Sequence, residues 1–281
     1  MINKYSVKFL WNWPNKNKIL LFYKYCLWQF IKLLNLFPRT ILVSKSVFNI
    51  TNKKVAEQGA MKLYCVGIYD YDNICFIRDY LSSNINKIFF DVGANMGVYS
   101  LLISEDKQIK VYAFEPHPIT HELLKQNIID NQRTNIFSKN MACSDINGKM
   151  NFENNMYSSL NKLVDNSANN TIQVDSIRLD KFVEDSKIVP LIVKIDVEGA
   201  EYEVLKGLGR EIEKTHIIIC EENKDNRVID LLKNKFRGPF YVDFKNKTIS
   251  TTKHYCEDPV FINKKYIDTL SVINYKLIIT N

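Results

Sequence analysis

The chain has 281 residues, of which 46% are hydrophobic and 25% are charged. This length allows one large domain or two small ones, and the composition argues against disorder, collagen and coiled coil. The six cysteines form no CxxC pair, which excludes a common zinc module and argues against a disulfide framework. We therefore expect reduced thiols in a cytoplasmic protein.

The net charge of +7 is unevenly distributed along the chain. Residues 1–62 hold 11 lysines and arginines and one acid, Glu57, so they carry +10. Residues 63–281 hold 27 basic residues and 30 acids, so they carry −3. A basic arm of this kind favours anionic lipid or nucleic acid as a partner.

The segment 16–37 combines lysines with a long apolar run. Lys24, Gln29, Lys32 and Asn35 interrupt the run, and on a helix they fall within one arc of about 140°, with the apolar residues mainly outside it. The pattern predicts an amphipathic helix lying on a membrane, and a helix packed on its own domain or on a second subunit is the equal alternative. The lysines disfavour a spanning helix, and no A-x-A-like site follows that would indicate a cleaved signal peptide.

From residue 87 onward, short apolar runs alternate with helical patterns, after a connector at 38–62 that includes some strand. The predicted strands are 87–92, 109–114, 135–142, 149–153, 171–177, 191–196, 216–221, 241–244 and 260–262. The predicted helices are 73–81, 98–105, 118–131, 202–208 and 227–236. This alternation predicts an α/β fold with a doubly wound, mostly parallel sheet and helices on both faces.

The stretch DVGANMGVYS follows the first of these strands and opens a helix. Gly93 permits a tight turn, and Gly97 permits a close approach of the backbone to a ligand. The spacing is not GxGxxG and no phosphate-binding lysine follows, which excludes a P-loop. Asp91 at the strand end would repel a pyrophosphate but suits a ligand with an amine or a sulfonium group.

Two further acids follow the second and third strands of this unit. Glu115 lies 22 residues after Gly93, where an acid binds both hydroxyls of a ribose. It could equally be an ordinary exposed acid at a strand end. Asp145, in the sequence ACSDINGK, could bind an adenine amino group or could simply form a turn.

A second polar constellation lies in VKIDVEGAE. Lys194 interrupts an apolar strand, and strand alternation places it on the same face as Asp196. Asp196 and Glu198 are expected at the mouth of the crevice that Gly93 also lines, because ligands of such sheets bind at the carboxyl ends of the strands. The next strand ends near Glu222. The alternative is a structural ion pair with a capping Glu198, and the carboxylates 196, 198 and 222 could also hold a divalent metal.

These motifs, with AFEP and SIRLDKF, resemble the FkbM family of S-adenosylmethionine-dependent methyltransferases over residues 85–265. The resemblance implies a Rossmann-like class I methyltransferase fold with a seven-stranded sheet, S-adenosyl-L-methionine as cofactor, and O-methylation of glycans or natural products. Position by position, it implies cofactor-binding roles for Asp91, Gly93, Asn95, Gly97, Glu115 and Asp145. It implies active-site roles for Lys194, Asp196, Glu198 and Glu222.

We therefore expect a basic arm over 1–60, a methyltransferase domain over 61–265 and an extension over 266–281. The expected reaction is transfer of a methyl group to a hydroxyl of a glycan, glycolipid or small molecule. The expected location is the cytoplasm, and the segment 16–37 would allow a peripheral position at the inner membrane face. Asp196 is the first candidate for the general base. The alternatives are an RNA methyltransferase that uses the basic arm and a cofactor-fold module without catalysis. Asp91 weighs against an NAD-dependent oxidoreductase.

Overall fold

The computed structural model describes residues 17–34, 36, 38–50, 53–154, 170–221, 226–253 and 258–279. The helices are α1 (Lys18–Leu33), α2 (Lys53–Val66), α3 (Tyr71–Ser82), α4 (Val98–Ile103), α5 (Pro118–Asp130), α6 (Leu179–Ser186), α7 (Glu201–Leu208) and α8 (Asn226–Leu232). The first seven strands are β1 (Thr40–Val43), β2 (Ser46–Asn49), β3 (Ile88–Val92), β4 (Lys110–Phe114), β5 (Ile136–Lys139), β6 (Ala142–Cys143) and β7 (Gly148–Glu153). The remaining strands are β8 (Thr171–Ile177), β9 (Ile192–Ile195), β10 (Ile217–Cys220), β11 (Phe236–Asp243), β12 (Thr248–Ser250), β13 (Val260–Asn263) and β14 (Lys276–Ile278). Two 3₁₀ helices cover Gly209–Glu213 and Lys264–Ile273.

The central sheet has the strand order β14-β12-β11-β13-β10-β9-β3-β4-β5. Strands β3, β4, β5, β9 and β10 are parallel, and β13 runs antiparallel to both β10 and β11. The predicted α/β, doubly wound and mostly parallel sheet is thus confirmed, with seven strands from β11 to β5 and two short edge strands beyond them. The chain leaves β3 toward β5 and returns to β9 on the other side of β3. The sheet therefore has its switch point between β3 and β9, where ligands of such sheets bind.

Alternating side chains of the inner strands enter two separate apolar cores, one on each face of the sheet. Phe89 and Ile192 pack with residues of α3, α4 and α5 on the first face. Phe90 and Val193 pack with residues of α6, α7 and α8 on the second face. Burial on both faces explains why these strands are continuous apolar runs in the sequence.

Helix α1 packs on the domain through one side only. Leu21 and Tyr25 are buried against Cys65 and Val66 of α2, and Trp28 joins the main core. Leu21 and Trp28 project within the predicted polar arc, in directions between those of Lys24 and Lys32. The expectation that the apolar residues lie opposite the lysines therefore holds for only part of them. None of the described helices has the length and hydropathy that a membrane crossing requires.

Several elements differ from the sequence-based expectation. Helix α2 and the β1–β2 hairpin occupy most of the segment interpreted as a connector, and Phe48 and Ile50 enter the main core. The helix predicted over 227–236 ends at Leu232, because Phe236 already begins β11. The division of the chain into an arm, a domain and an extension stays a prediction.

Candidate active site

The loop between β3 and α4 is shaped by contacts within the protein. Gly93 has φ +80°, and a Cβ atom there would lie 1.8 Å from the carbonyl oxygen of Asp196. Gly97 has φ +93°, and its Cβ would lie 2.5 Å from Leu124 of α5. Both glycines are therefore required by the fold. The space beside Gly97, interpreted above as room for a ligand, faces Leu124.

Glu115 closes this loop from the end of β4. Its buried carboxylate accepts hydrogen bonds from the backbone N–H groups of Asn95 and His117, each at 2.9 Å. Burial raises the pKa of Glu115 to about 7, although the two backbone N–H groups lower it in part. Asn95 has φ +50° and its Oδ1 accepts from the N–H of Met96 at 2.7 Å. The structure thus brings together the predicted loop and the predicted ribose-binding acid.

Asp91 is buried and has partners of its own. Its Oδ2 accepts hydrogen bonds from the backbone N–H of Ser100 at 3.1 Å and from its hydroxyl at 2.6 Å. Burial raises the pKa of Asp91, and the Lys194 ammonium opposes that rise. Asp91 and Lys194 are neighbours in the register of β3 and β9. The carboxylate therefore fixes the start of α4 and helps to balance the charge of Lys194.

Asp145 is joined to helix α7. Its carboxylate accepts hydrogen bonds from Lys206 at 2.7 Å and from Ser144 at 3.3 Å. The hydrogen bond from Lys206 holds the pKa of Asp145 below its usual value. A Cβ at Gly207 would lie 1.9 Å from the carbonyl oxygen of Ser144, so α7 lies directly against this turn. The adenine-binding role of Asp145 stays a prediction.

Lys194 and Asp196 form an ion pair on the first face of the sheet. Nζ of Lys194 donates to Oδ2 of Asp196 at 2.8 Å and lies 4.7 Å from the centre of the Tyr99 ring. Burial lowers the pKa of Lys194, but Asp196, Asp258 and Asp91 raise it by more, so the net pKa lies above the usual value. The lysine side chain is 3% exposed and the aspartate side chain is 37% exposed. The pair therefore presents its acid to the crevice and keeps its cation behind it.

Three carboxylates meet at the carboxyl ends of β9 and β10. Oxygens of Asp196, Glu198 and Glu221 lie within 4.8 Å of one another. Burial, with repulsion from Asp196, raises the pKa of Glu198 to about 7 and that of Glu221 to about 8. Such a cluster can share protons near neutral pH or hold a divalent cation. The Lys194 ammonium already supplies positive charge at Asp196, so that carboxylate does not require a metal ion to balance its charge. A divalent cation in this cluster therefore stays a prediction.

Among the described residues, Glu221 is the acid at the end of β10 that belongs to this cluster. Glu222 lies outside the described residues, so its predicted role stays a prediction. The backbone N–H of Glu221 donates to the carbonyl of Ile195, which continues the pairing of β10 with β9 by one residue. Because Lys194 is paired with Ile219, alternation places Glu221 on the face of Lys194 and Asp196. This placement of Glu221 could have been inferred from strand alternation in the sequence.

Glu201 holds the loop that carries Glu198. It is fully buried, and its Oε1 accepts hydrogen bonds from the N–H groups of Val197 at 3.3 Å and Gly199 at 3.0 Å. Glu198 has φ +56°, a conformation that a non-glycine residue adopts only when its surroundings enforce it. The last acid of VEGAE is therefore a positioning residue that the sequence interpretation missed.

Asp70 and Asp258, which lie far apart in the sequence, complete the wall of the crevice. Burial raises the pKa of Asp70, before α3, to about 8 and that of Asp258, before β13, to about 6, and Lys194 lowers both in part. Asn73 donates to the carbonyl of Asp258 at 2.9 Å, which joins the two segments. The sequence interpretation gave neither acid a role in the site, although Asp258 lies within EDPVFINK, a stretch similar to the closing strand of the FkbM family.

A doubly wound sheet with strand-end acids on β3, β4, β9 and β10 around one switch point defines a Rossmann-like class I methyltransferase fold. The family model described as Methyltransferase FkbM domain matches residues 91–237. The chain belongs to the FkbM family of methyltransferases.

One relative is the hexuronic acid methyltransferase AglP of Haloferax volcanii, which is 30% identical over 137 residues. The match covers 48% of this chain and 56% of AglP, so the chain spans little more than half the length of that relative. Similar solved structures include the human methyltransferase 10 domain containing protein, at 12% identity and a TM-score of 0.42, with 70% of this chain and 81% of that chain covered. An rRNA methylase from Streptococcus thermophilus gives 10% identity and a TM-score of 0.40, with 67% and 94% covered.

Family and fold imply S-adenosylmethionine as the cofactor, and the residues present fit it. Each carboxylate oxygen of Glu115 accepts one backbone hydrogen bond, and a carboxylate oxygen can accept a second. Two lone pairs are thus available for a pair of ribose hydroxyls. Asp91, at the end of β3 beside the switch point, suits the positive charge of a sulfonium and an amine.

Proposed function

We propose that the protein is an S-adenosylmethionine-dependent O-methyltransferase that acts on a hydroxyl of a glycan, glycolipid or related small molecule. The observation that carries this proposal is the contact between the loop that joins β3 to α4 and the end of β9, where Asp196 lies. The N–H of Asp196 donates to the carbonyl of Val92 at 3.0 Å, and Gly93 lies against the Asp196 carbonyl. The loop bordered by Glu115 and the Lys194–Asp196 ion pair therefore share one crevice. The name of AglP supports a sugar acceptor.

The proposed cofactor site consists of Glu115, Asn95 and the loop around Gly93. Bound S-adenosylmethionine supplies an electrophilic methyl group. Glu115 would accept hydrogen bonds from the ribose hydroxyls, each charge-assisted bond contributing about 1.5–3 kcal/mol. Positioning of the two reactants is the main catalytic contribution of such a site and can amount to about 7–11 kcal/mol.

The proton of the acceptor hydroxyl is proposed to go to the carboxylate cluster. Asp196 is the member that the Lys194 ion pair orients, and its exposed edge faces the crevice. Glu221 joins the predicted Glu222 as a further candidate, because its raised pKa of about 8 suits a group that exchanges protons near neutral pH. Lys194 is a positioning residue that keeps the Asp196 carboxylate in place.

Replacement of Asp196 tests this proposal. Asp196→Asn keeps the shape of the side chain but removes its charge, so we expect kcat to fall at least about 100-fold while cofactor affinity is largely retained. Transfer of a labelled methyl group to a panel of glycolipids and nucleotide sugars measures the first, and calorimetry with S-adenosylmethionine measures the second. Asp175→Asn, which breaks an exposed ion pair with Lys149, is the matched control. Wild-type turnover in Asp196→Asn would remove Asp196 from the mechanism.

An RNA methyltransferase is the second candidate because the first 62 residues carry +10. The same labelled-cofactor assay, with RNA as acceptor at low and high salt, separates the two. RNA methylation that declines steeply with salt would favour this candidate. Cofactor binding without transfer to any acceptor would instead favour a binding module without catalysis.

A further inference from the structure

Helix α1 is attached to the protein by the side that carries its lysines. Leu21, Tyr25 and Trp28 are buried, and at about 100° per residue they project within an arc of about 60°. Lys32 projects within this arc, and Lys24 projects about 40° from its edge. A surface helix normally has one apolar side, which it buries, so α1 is unusual if its opposite side is apolar as well.

The opposite side of α1 is apolar and exposed. We define this outer face as Ile19, Tyr23, Phe30, Leu33 and Leu34, which project within about 100° of one another. Ile19 is 80% exposed, Leu33 is 79% exposed and Phe30 is 56% exposed. Exposed apolar side chains that lie together on one helix mark an interaction surface.

The charge of the chain segment that carries the outer face selects the kind of partner. The sequence contains no Asp or Glu before Glu57, whereas the described residues from 17 to 50 include Lys18, Lys24, Lys32, Arg39 and Lys45. A second copy of the chain would bring a like positive charge to the contact. An RNA would pair with the lysines and arginine but would leave the apolar side chains in water. An anionic bilayer satisfies both features, because acyl chains cover the apolar side and headgroups attract the basic groups.

We propose that the outer face of α1 docks the protein on the surface of an anionic membrane, with the helix lying in the headgroup layer. The buried side of the same helix holds the domain to this anchor through Trp28, whose ring lies 5.2 Å from that of Tyr64. Membrane binding and packing on the domain, which the sequence left as alternatives, are thus two sides of one helix.

Vesicle sedimentation with the full chain tests the proposal. The vesicles contain phosphatidylcholine with or without about one-third phosphatidylglycerol. We expect the protein to sediment with the anionic vesicles, and less so at high salt. The triple variant Ile19→Ser, Phe30→Ser, Leu33→Ser should lower vesicle affinity at least about tenfold, because three apolar side chains no longer enter the bilayer.

The matched control is Ile85→Ser, Ile129→Ser, Val272→Ser, which removes three equally exposed apolar side chains elsewhere. It should bind vesicles as the wild type does. Equal binding by the outer-face variant, or no binding by the wild type, would overturn the proposal. Dimers or RNA complexes that the outer-face variant alone loses, seen by analytical ultracentrifugation, would assign the face to those partners instead. Calorimetry with S-adenosylmethionine should be unchanged in all three proteins, so this test is independent of the proposed function.

Discussion

Glu115 combines two features that act on its pKa in opposite directions. It is buried, which raises its pKa to about 7, and it is held by two backbone N–H groups that stabilise its charged form. Its ionisation therefore changes within the ordinary working range of pH. A carboxylate that binds ribose hydroxyls must be ionised to accept both of their hydrogen bonds.

We predict that cofactor affinity falls as the pH decreases through about 7. At about pH 6 only about one molecule in ten has an ionised Glu115, so the affinity for S-adenosylhomocysteine should be about tenfold lower than at about pH 8. Calorimetry at the two pH values measures this. In Glu115→Gln the amide does not titrate, so binding should be weaker and should lose this pH dependence. The neighbouring His117 is unchanged in that variant, and an identical pH slope there would assign the effect to another group.

At the scale of single elements, the strongest constraint is the junction of β3 with β9. Gly93 combines φ +80° with a Cβ position only 1.8 Å from the Asp196 carbonyl oxygen. Any side chain at this position would push apart the two strand ends that carry Asp91 and Asp196. The glycine therefore determines the width of the crevice.

Gly93→Ala should be severely destabilising. The unfavourable φ costs about 1–2 kcal/mol and the clash adds more, so we expect the free energy of unfolding to fall by at least about 3 kcal/mol. Gly67→Ala is the matched control, since Gly67 has φ +78° but open space around its Cβ position. Urea unfolding measures the free energy of unfolding of both variants. The difference between their losses gives the cost of the clash with the Asp196 carbonyl, because both variants carry the cost of the positive φ. Equal losses in the two variants would contradict the clash.

Buried elements could be predicted from the sequence and peripheral ones could not. Strands β3, β4, β9 and β10 lie within one residue or so of the predicted runs, because burial on both faces leaves an uninterrupted apolar signal. The three-residue strand β14 depends on its parallel pairing with β12, which no local pattern reveals. The same holds for the site. Lys194 and Asp196 are visible as charges in an apolar strand, whereas Asp70 and Asp258 reach the crevice only through the tertiary fold.

At the scale of the whole molecule, described residues of the basic N-terminal segment contribute side chains to the main apolar core. The described part of residues 17–50 places Trp28, Phe48 and Ile50 in the core that covers the first face of the sheet. A deletion of residues 1–37 would remove that tryptophan together with the outer face. Such a deletion cannot distinguish a membrane anchor from a structural helix, whereas single substitutions on the two sides of α1 can.

We therefore predict opposite outcomes for two aromatic residues of α1 that are only two positions apart. Trp28 is almost fully buried and packs against Tyr64, so Trp28→Ala should lower the free energy of unfolding by about 3–5 kcal/mol. Phe30 belongs to the outer face, so Phe30→Ala should change that free energy by less than about 0.5 kcal/mol. Equilibrium urea unfolding measures the free energy of both variants. It is followed by far-ultraviolet circular dichroism, because the backbone signal does not depend on the tryptophan that is replaced. If Trp28→Ala were as stable as the wild type, α1 would be a detachable arm, and its attachment to the rest of the protein would have to come from residues other than its buried side.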